Sequence, residues 1–439
     1  MRRLVLLVCL MVVAAGCGSE GSATSTSSAT TAVETTADVA TTSTVAAAEP
    51  QALTFWHYWD GNNGEVVVEL IDRYVSENPG VTIEPVFLGY GDLLPRLLTT
   101  GGSGDGPDFA IADLVWMPKL AESGTLVALD GFVEAAGIDL DDFYSELLEI
   151  DRYQDQLYGL PVRSKNLQLF YNKALFEAAG LDPEAPPTDW ASLQESAAAC
   201  GDPAAGVTGV ELYTEPGEGL TWQFQVYLWQ AGGEFLSEDL SAAAFNTSEG
   251  EAALQYWVDL IEGGESSAAP WGQFGQGAAC MVMDGSWMVG IWSADPPFDF
   301  GTAAMPFPVD GEMATNMGGE QGFIMATDPA RQQAAFDFLA WFTSTETQIE
   351  WDQRTGFMPV RASVAADPDY LSYIEANEPR YLPFVENQQF ARSRPAVTLY
   401  PEISDAFSRE LERALLGEAT VAEALAAAET AVNDILAAG

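Results

Sequence analysis

One histidine, His57, stands among 65 Asp+Glu and 17 Lys+Arg in 439 residues. This inventory excludes more chemistry than it allows. A single imidazole does not build an HExxH zinc site, and no G-x-S-x-G turn accompanies it to complete a Ser-His-acid relay. Neither a G-x-x-x-x-G-K-[ST] loop nor a G-x-G-x-x-G turn after a strand is present to cradle phosphates. With so many acids, a carboxylate pair for glycoside hydrolysis can be drawn anywhere, so their number carries no information. What remains is non-covalent recognition, with no metal and no cofactor expected. Trp59 and Asp60 beside the Gly-Asn-Asn-Gly at 61–64, Asp113 with Trp116, and Gly318-Gly319-Glu320 are suited to it. Flat rings stack, carboxylates accept from hydroxyls, and paired glycines let a ligand approach the backbone. Trp56 is read as core, as are the aromatics of Thr221–Gly232; Asp113 could equally do no more than cap the turn after it.

The elements that must position these residues follow from pattern. Leu53–Trp56, Val81–Phe87 and Pro107–Ala112 read as strands, with helices over Glu65–Glu77 and Asp92–Thr100 between them. This β-α-β-α-β order predicts a mostly parallel sheet with ligand-holding loops at its strand ends. Gly159–Val162 reads as a crossing strand and Leu167–Tyr171 as another strand. Asn172–Gly180 is a helix closed by Gly180, and Thr188 is a cap for the helix that follows. Further on come helices at Thr221–Gly232 and at Glu249–Glu262, the latter capped from Asn246-Thr247-Ser248. A strand at Ala278–Met283 follows, then Gly318-Gly319-Glu320-Gln321-Gly322 ahead of a strand at Phe323–Ala326. Helices at Pro329–Phe342, Glu402–Leu416 and Val421–Leu436 complete the reading.

Composition and charge set the context. The balance 17 − 65 gives −48, a surface that repels nucleic acid and anionic membrane, and no Lys or Arg occurs from Ala174 to Ala330. Apolar residues at 48% and aromatics at 11% nonetheless call for a folded body long enough for two domains. Arg2-Arg3 and the apolar run to Ala15 read as a signal peptide over 1–16. Val13–Cys17 resembles a bacterial lipobox, which implies lipidation of Cys17. Residues 17–50, rich in Ser, Thr and Ala, would tether the body to the outer face of the cell membrane. With Cys9 in the leader, Cys200 and Cys280 remain as an even pair in an exported chain, and a disulfide is expected.

Four stretches carry a resemblance: YNKALFEAAGLDPEAPPTDW from Tyr171, GAACMVMDGSW ending at Trp287, FLAWFTSTETQIEW with TGFMP after it, and YPEISDAF from Tyr400. Together they resemble the extracellular solute-binding proteins that serve carbohydrate ABC importers, and also the glycerol-3-phosphate binders among them. The resemblance runs from about Leu53 to the C-terminus. It implies a two-lobed α/β periplasmic-binding fold (type II), each lobe a mostly parallel sheet flanked by helices. The lobes would be 51–162 with 315–357, and 163–314 with 358–439. It also implies a monomer that closes on a small molecule and hands it to permease subunits, without catalysis. Arg163, Ser164, Trp287, Phe357 and Arg394 join the ligand set on this ground, with Lys165 and Arg392 as further cations near the cleft. A phosphate calls for several cations or donors. Phe357 stands where the phosphate binders place Tyr, and Glu320 would repel a phosphate. The reading is therefore a neutral mono- or oligosaccharide, with glycerol-3-phosphate or a glycerophosphodiester as the alternative. An exported glycoside hydrolase and a surface adhesion or sensor protein stand behind these.

Overall fold

The computed structural model describes residues 50–101, 104–294 and 298–438. The leader at 1–16, the lipidated Cys17 and almost all of the tether lie outside the described residues. Strand β1 (Gln51–His57) turns Leu53, Phe55 and His57 inward and pairs in parallel with β2 (Val81–Phe87) and β3 (Phe109–Asp113). Parallel neighbours need long crossovers. Helices Gly61–Glu77 and Tyr90–Thr100 supply them, the first burying Val66, Val67, Leu70, Ile71 and Tyr74. The short ribbon β4 (Arg152–Tyr153) and β5 (Gln156–Leu157) precedes β6 (Gly159–Lys165), and β7 (Leu167–Asn172) follows. Then come β8 (Thr208–Glu211), β9 (Ala279–Gly285), β10 (Phe300–Ala303), β11 (Thr315–Ile324) and β12 (Ala391–Ser393).

Two main sheets result. The first runs β12-β11-β3-β1-β2, with β6 also paired to β11; the second runs β10-β7-β9-β8. The expectation of mostly parallel sheets needs correction for the second. There only β8–β9 is parallel, while β10–β7 and β7–β9 are antiparallel. In the first sheet β11 runs against both β3 and β6. Each of these antiparallel neighbours is separated in the chain by further strands as well as helices, so no single βαβ crossover sets their direction. β12, drawn from the segment assigned by resemblance to the second lobe, pairs with β11 in the first sheet.

The punctuation in the centre of the chain forms with small shifts. Asn172 caps helix Lys173–Ala178 through its side chain, and Gly180 at φ +78° ends that turn, where a side chain would be strained. The next helix, Trp190–Cys200, is capped by Asp189 and not by Thr188: Asp189 accepts from the Ser192 amide while the Ser192 hydroxyl accepts from the Asp189 amide. Cys200 at the end of this helix is disulfide-bonded to Cys280 on β9, with Cα atoms 6.2 Å apart. The glycine pair departs most from expectation. Gly318, Gly319 and Glu320 lie buried inside β11 and not ahead of a strand starting at Phe323; all three pair with β6, and Glu320 pairs with β3 as well.

Candidate functional site

Sheet register assembles the site. Glu320 on β11 lies directly opposite Asp113 on β3 and, on its other side, opposite Arg163 on β6. Opposed residues share a face, so one carboxylate is flanked by a guanidinium and a second carboxylate. Glu320 is fully buried, ion-paired with Arg163, and accepts from the Tyr58 hydroxyl and from Lys165 Nζ at 3.2 Å. Lys165, two residues beyond Arg163, returns to the same face and also stands 3.7 Å from Asp113. Opposite Lys165 is Gly318. A Cβ there would lie 2.6 Å from Lys165 Cε and 3.1 Å from Trp222, so the glycine makes room for both side chains. Gly319 faces the other way, where a Cβ would meet the Arg163 carbonyl at 2.5 Å.

Asp113 has two tasks. Its Oδ1 accepts from the Val115 amide, capping the turn, and faces Arg394 at 3.4 Å; its Oδ2 faces the Tyr90 hydroxyl at 3.4 Å. Burial alone would raise its pKa, but Arg394 and Lys165 hold the carboxyl below its ordinary range. Arg394 is 3% exposed and donates at 2.7 Å to Glu218, in the first turn of helix Glu218–Gln230. Burial disfavours the Arg394 charge, and Asp113 and Glu218 outweigh it, holding the guanidinium above its usual value. Lys165 is shifted the other way. Burial, together with the nearby charges of Arg163 and Arg394, brings its ammonium down to about 7 against the pull of Asp113.

Aromatic rings bound this ionic floor. Trp222, one turn after Glu218 on the same helix face, stacks with Trp287 at 5.7 Å between centroids and 13° between planes. Both are partly exposed. Trp287 can fold back because residue 285 is glycine: a Cβ there would fall 1.7 Å from the indole. The Gly-Ser-Trp sequence is thus a device for laying a ring against the end of β9. Lys165 Nζ lies 5.7 Å from the Trp222 centroid and 5.5 Å from that of Trp287. On the first-sheet side, Tyr58, Tyr90 and Trp116 pack together, Tyr90 being 46% exposed.

The expected residues divide into two groups. Asp113, Arg163, Trp287, Gly318, Glu320 and Arg394 come together around Lys165, and Trp116 is buried against Tyr58 and Tyr90. Gly319, Ser164, Trp59 and Phe357 are buried behind them. Ser164 donates to the Met358 and Pro359 carbonyls. Trp59 is 3% exposed against Trp351 and Phe342, and with Phe357 it sandwiches the Arg163 guanidinium. Asp60 is exposed at the start of its helix and makes no capping bond with its side chain. Arg392 pairs with Glu234 at the surface. Sequence reasoning missed Glu218, Trp222 and Tyr90, and left Tyr58 and Lys165 outside the ligand set. The available signal was Glu218 four residues before Trp222, in a stretch without basic residues, which needs a cation from elsewhere.

Residues 69–378 match the model of the bacterial extracellular solute-binding protein family. The fold superimposes on the cyclic alpha-maltosyl-1,6-maltose binding protein from Arthrobacter globiformis with a TM-score of 0.82, at 47% identity, covering 89% of this chain and 100% of that one. A solute-binding protein of an ABC transporter from Thermotoga lettingae, bound with alpha-D-tagatose, gives a TM-score of 0.77 at 28% identity over 88% of this chain and 100% of that one. The sn-glycerol-3-phosphate-binding periplasmic protein UgpB of Pectobacterium atrosepticum is 24% identical over 423 residues, 89% of this chain and 93% of that protein. The match over most of the chain, on a two-lobed α/β frame with an ionic and aromatic cluster between its main sheets, makes this protein a member of the bacterial extracellular solute-binding protein family.

Proposed function

We propose that this chain is the substrate-binding component of an ABC importer and that it captures a neutral oligosaccharide at the cluster around Lys165. The observation that carries this reading is the charge balance beneath the Trp222–Trp287 pair. Arg163, Lys165 and Arg394 face Asp113, Glu218 and Glu320, and each cation is already engaged by a carboxylate. A neutral polyol exchanges hydrogen bonds with such a floor while its apolar face lies on an indole. A phosphate would add charge where no cation is uncommitted. The Arthrobacter relative, named for a cyclic glucose saccharide, supports the same ligand class. Trp287, Asp113, Glu320 and Arg394 are the ligand residues of this proposal, with Trp222, Lys165 and Tyr90 added.

Delivery without turnover completes the proposal. Asp113, held below its ordinary range, is no proton donor at neutral pH, and Glu320 is engaged by Arg163 and Lys165, so neither is placed as the general acid of a hydrolase. The protein works outside the cytoplasm as a monomer, held by a lipid on Cys17. Its two lobes, one around each main sheet, close on the sugar by a hinge motion through β6 and the return at Met358. A thermal-shift screen tests the class. Maltose, maltotetraose and cyclic alpha-maltosyl-1,6-maltose should include one that raises the melting temperature in proportion to the logarithm of its concentration. A shift with sn-glycerol-3-phosphate and with no saccharide refutes the ligand.

A further inference from the structure

We propose that Gln348, a buried side chain outside the cleft, is a positioning residue for ligand binding: it holds a β-bulge in β6 that keeps Arg163 and Lys165 on the ligand-holding face. The proposal rests on the saccharide reading above and names the device that builds its site.

The bulge is read from register. Gly318, Gly319 and Glu320 of β11 lie opposite Lys165, Ser164 and Arg163, but the next residue, Gln321, lies opposite Pro161. The pairing steps over Val162, so β6 carries one residue more than β11 across this interval. Pro161 stands beside the step, where a residue without an N–H is tolerated because the ladder is already broken. Side chains alternate between the two faces of a strand, so one extra residue decides the face of all those beyond it. In regular pairing Val162 would take the place opposite Glu320. Arg163 would then come opposite Gly319 and Lys165 opposite Met317, both on the far face. The ionic cluster around Glu320 exists only in the bulged register.

A bulge leaves backbone groups without ladder partners. The Val162 carbonyl finds its donor outside the sheet. Gln348, in the first turns of helix Thr345–Thr355, donates through Nε2 to that carbonyl at 3.0 Å and to the Phe342 carbonyl at 3.1 Å. Phe342 ends helix Pro329–Phe342, whose last carbonyls have no partner within the helix. Two acceptors for two amide hydrogens fix the side chain, and Gln348 is fully buried. Beyond the step, Ser164 exchanges backbone hydrogen bonds with Met358, and the Arg163 guanidinium lies 3.5 Å from the Phe357 centroid. The clamp on the bulge and the ring under the arginine thus come from one continuous segment, 345–358. Without the Nε2 donor, the Val162 carbonyl is buried and unpaired, which penalises the bulge and not the regular register.

The test is calorimetric titration of the purified protein with cyclic alpha-maltosyl-1,6-maltose for wild type, Gln348→Met and Gln348→Asn, each also with Arg163→Lys. Gln348→Met matches the length and donates nothing. Gln348→Asn keeps the amide but falls one methylene short, and is the milder variant should the first not fold. Leu193→Ala, buried in helix Trp190–Cys200, is the control for lost stability alone. Gln348→Met should bind about tenfold or more weakly than wild type, while Leu193→Ala melts lower and binds within about twofold. With Arg163→Lys in place, the further loss from Gln348→Met should shrink to within about twofold, because the clamp acts through the arginine. Gln348 variants that melt lower yet bind as wild type overturn the assignment and leave the ligand reading standing; so does an equal loss with Arg163 and with Lys at that position. Wild-type protein that binds no saccharide overturns the ligand reading and this assignment with it.

Discussion

Arg394 donates to Glu218 at 2.7 Å, joining the segment after β12 in the first sheet to the helix that carries Trp222 beside the second. Since Arg394 also faces Asp113 at 3.4 Å, it bridges carboxylates from both sides of the cleft while almost fully buried. Such a group earns little net stability from its pairs, yet removing it strands two acids. Arg394→Met should therefore cost about 3 kcal/mol in denaturant unfolding. Adding Asp113→Asn should restore part of that loss, a coupling a double-mutant cycle reads directly.

The Trp222–Trp287 stack is expected to act through ring area rather than through the indole N–H. Trp222→Leu and Trp287→Leu should each weaken saccharide binding by about 1 kcal/mol or more, roughly fivefold upward, with smaller losses for Phe at either position. Trp59→Phe, set in the core against Trp351, should instead lower the melting temperature and leave the affinity of the folded protein nearly unchanged.

His57 supplies an acid-sensitive element. It is 4% exposed, packed among Phe55, Trp59 and Phe87, and burial brings it down to about 4. The folded value lies below the unfolded 6.5, so its contribution is complete above pH 6.5 and is lost as pH falls toward 4. The full effect is about 3 kcal/mol. The gap in unfolding free energy between wild type and His57→Phe should shift by that order in favour of the variant between pH 7 and pH 4.

The Cys200–Cys280 bond closes a chain segment with a sequence separation of 80. Chain-entropy reasoning puts its worth at about 4.5 kcal/mol. Reduction, or Cys200→Ala with Cys280→Ala, should lower the denaturant midpoint accordingly and should leave ligand specificity as it was, because neither cysteine touches the cluster.

Much of this architecture was legible in the chain. Asn172 and Gly180 bracketed a helix, Val81–Phe87 and Pro329–Phe342 were read with their observed limits, and the first three strands followed from pattern with shifts of a few residues at their ends. The misreadings have physical causes. The strand was read from Phe323 because glycine weakens strands locally, whereas β11 begins at Thr315 and Gly318-Gly319 makes room across the sheet for Lys165 and the Arg163 backbone. Thr188 and Asp189 are both good caps, and the reciprocal bond with Ser192 decides between them. The antiparallel pairings of the second sheet depend on where distant segments return, which local periodicity does not encode. For the same reason the burial of Trp59 and the partial exposure of Trp222 were not legible in the chain. Burial depends on what packs from afar: Trp351 covers Trp59, while Trp222 is turned toward Lys165 and Trp287.

The claim that the cleft takes an uncharged sugar onto a balanced ionic floor is tested most directly by titrating the purified protein, side by side, with cyclic alpha-maltosyl-1,6-maltose and with sn-glycerol-3-phosphate. Saturable one-to-one heat with the saccharide and none with the phosphate at pH 6.5 is the predicted result. Tight phosphate binding with a silent saccharide, or turnover of the saccharide during the titration, would contradict it.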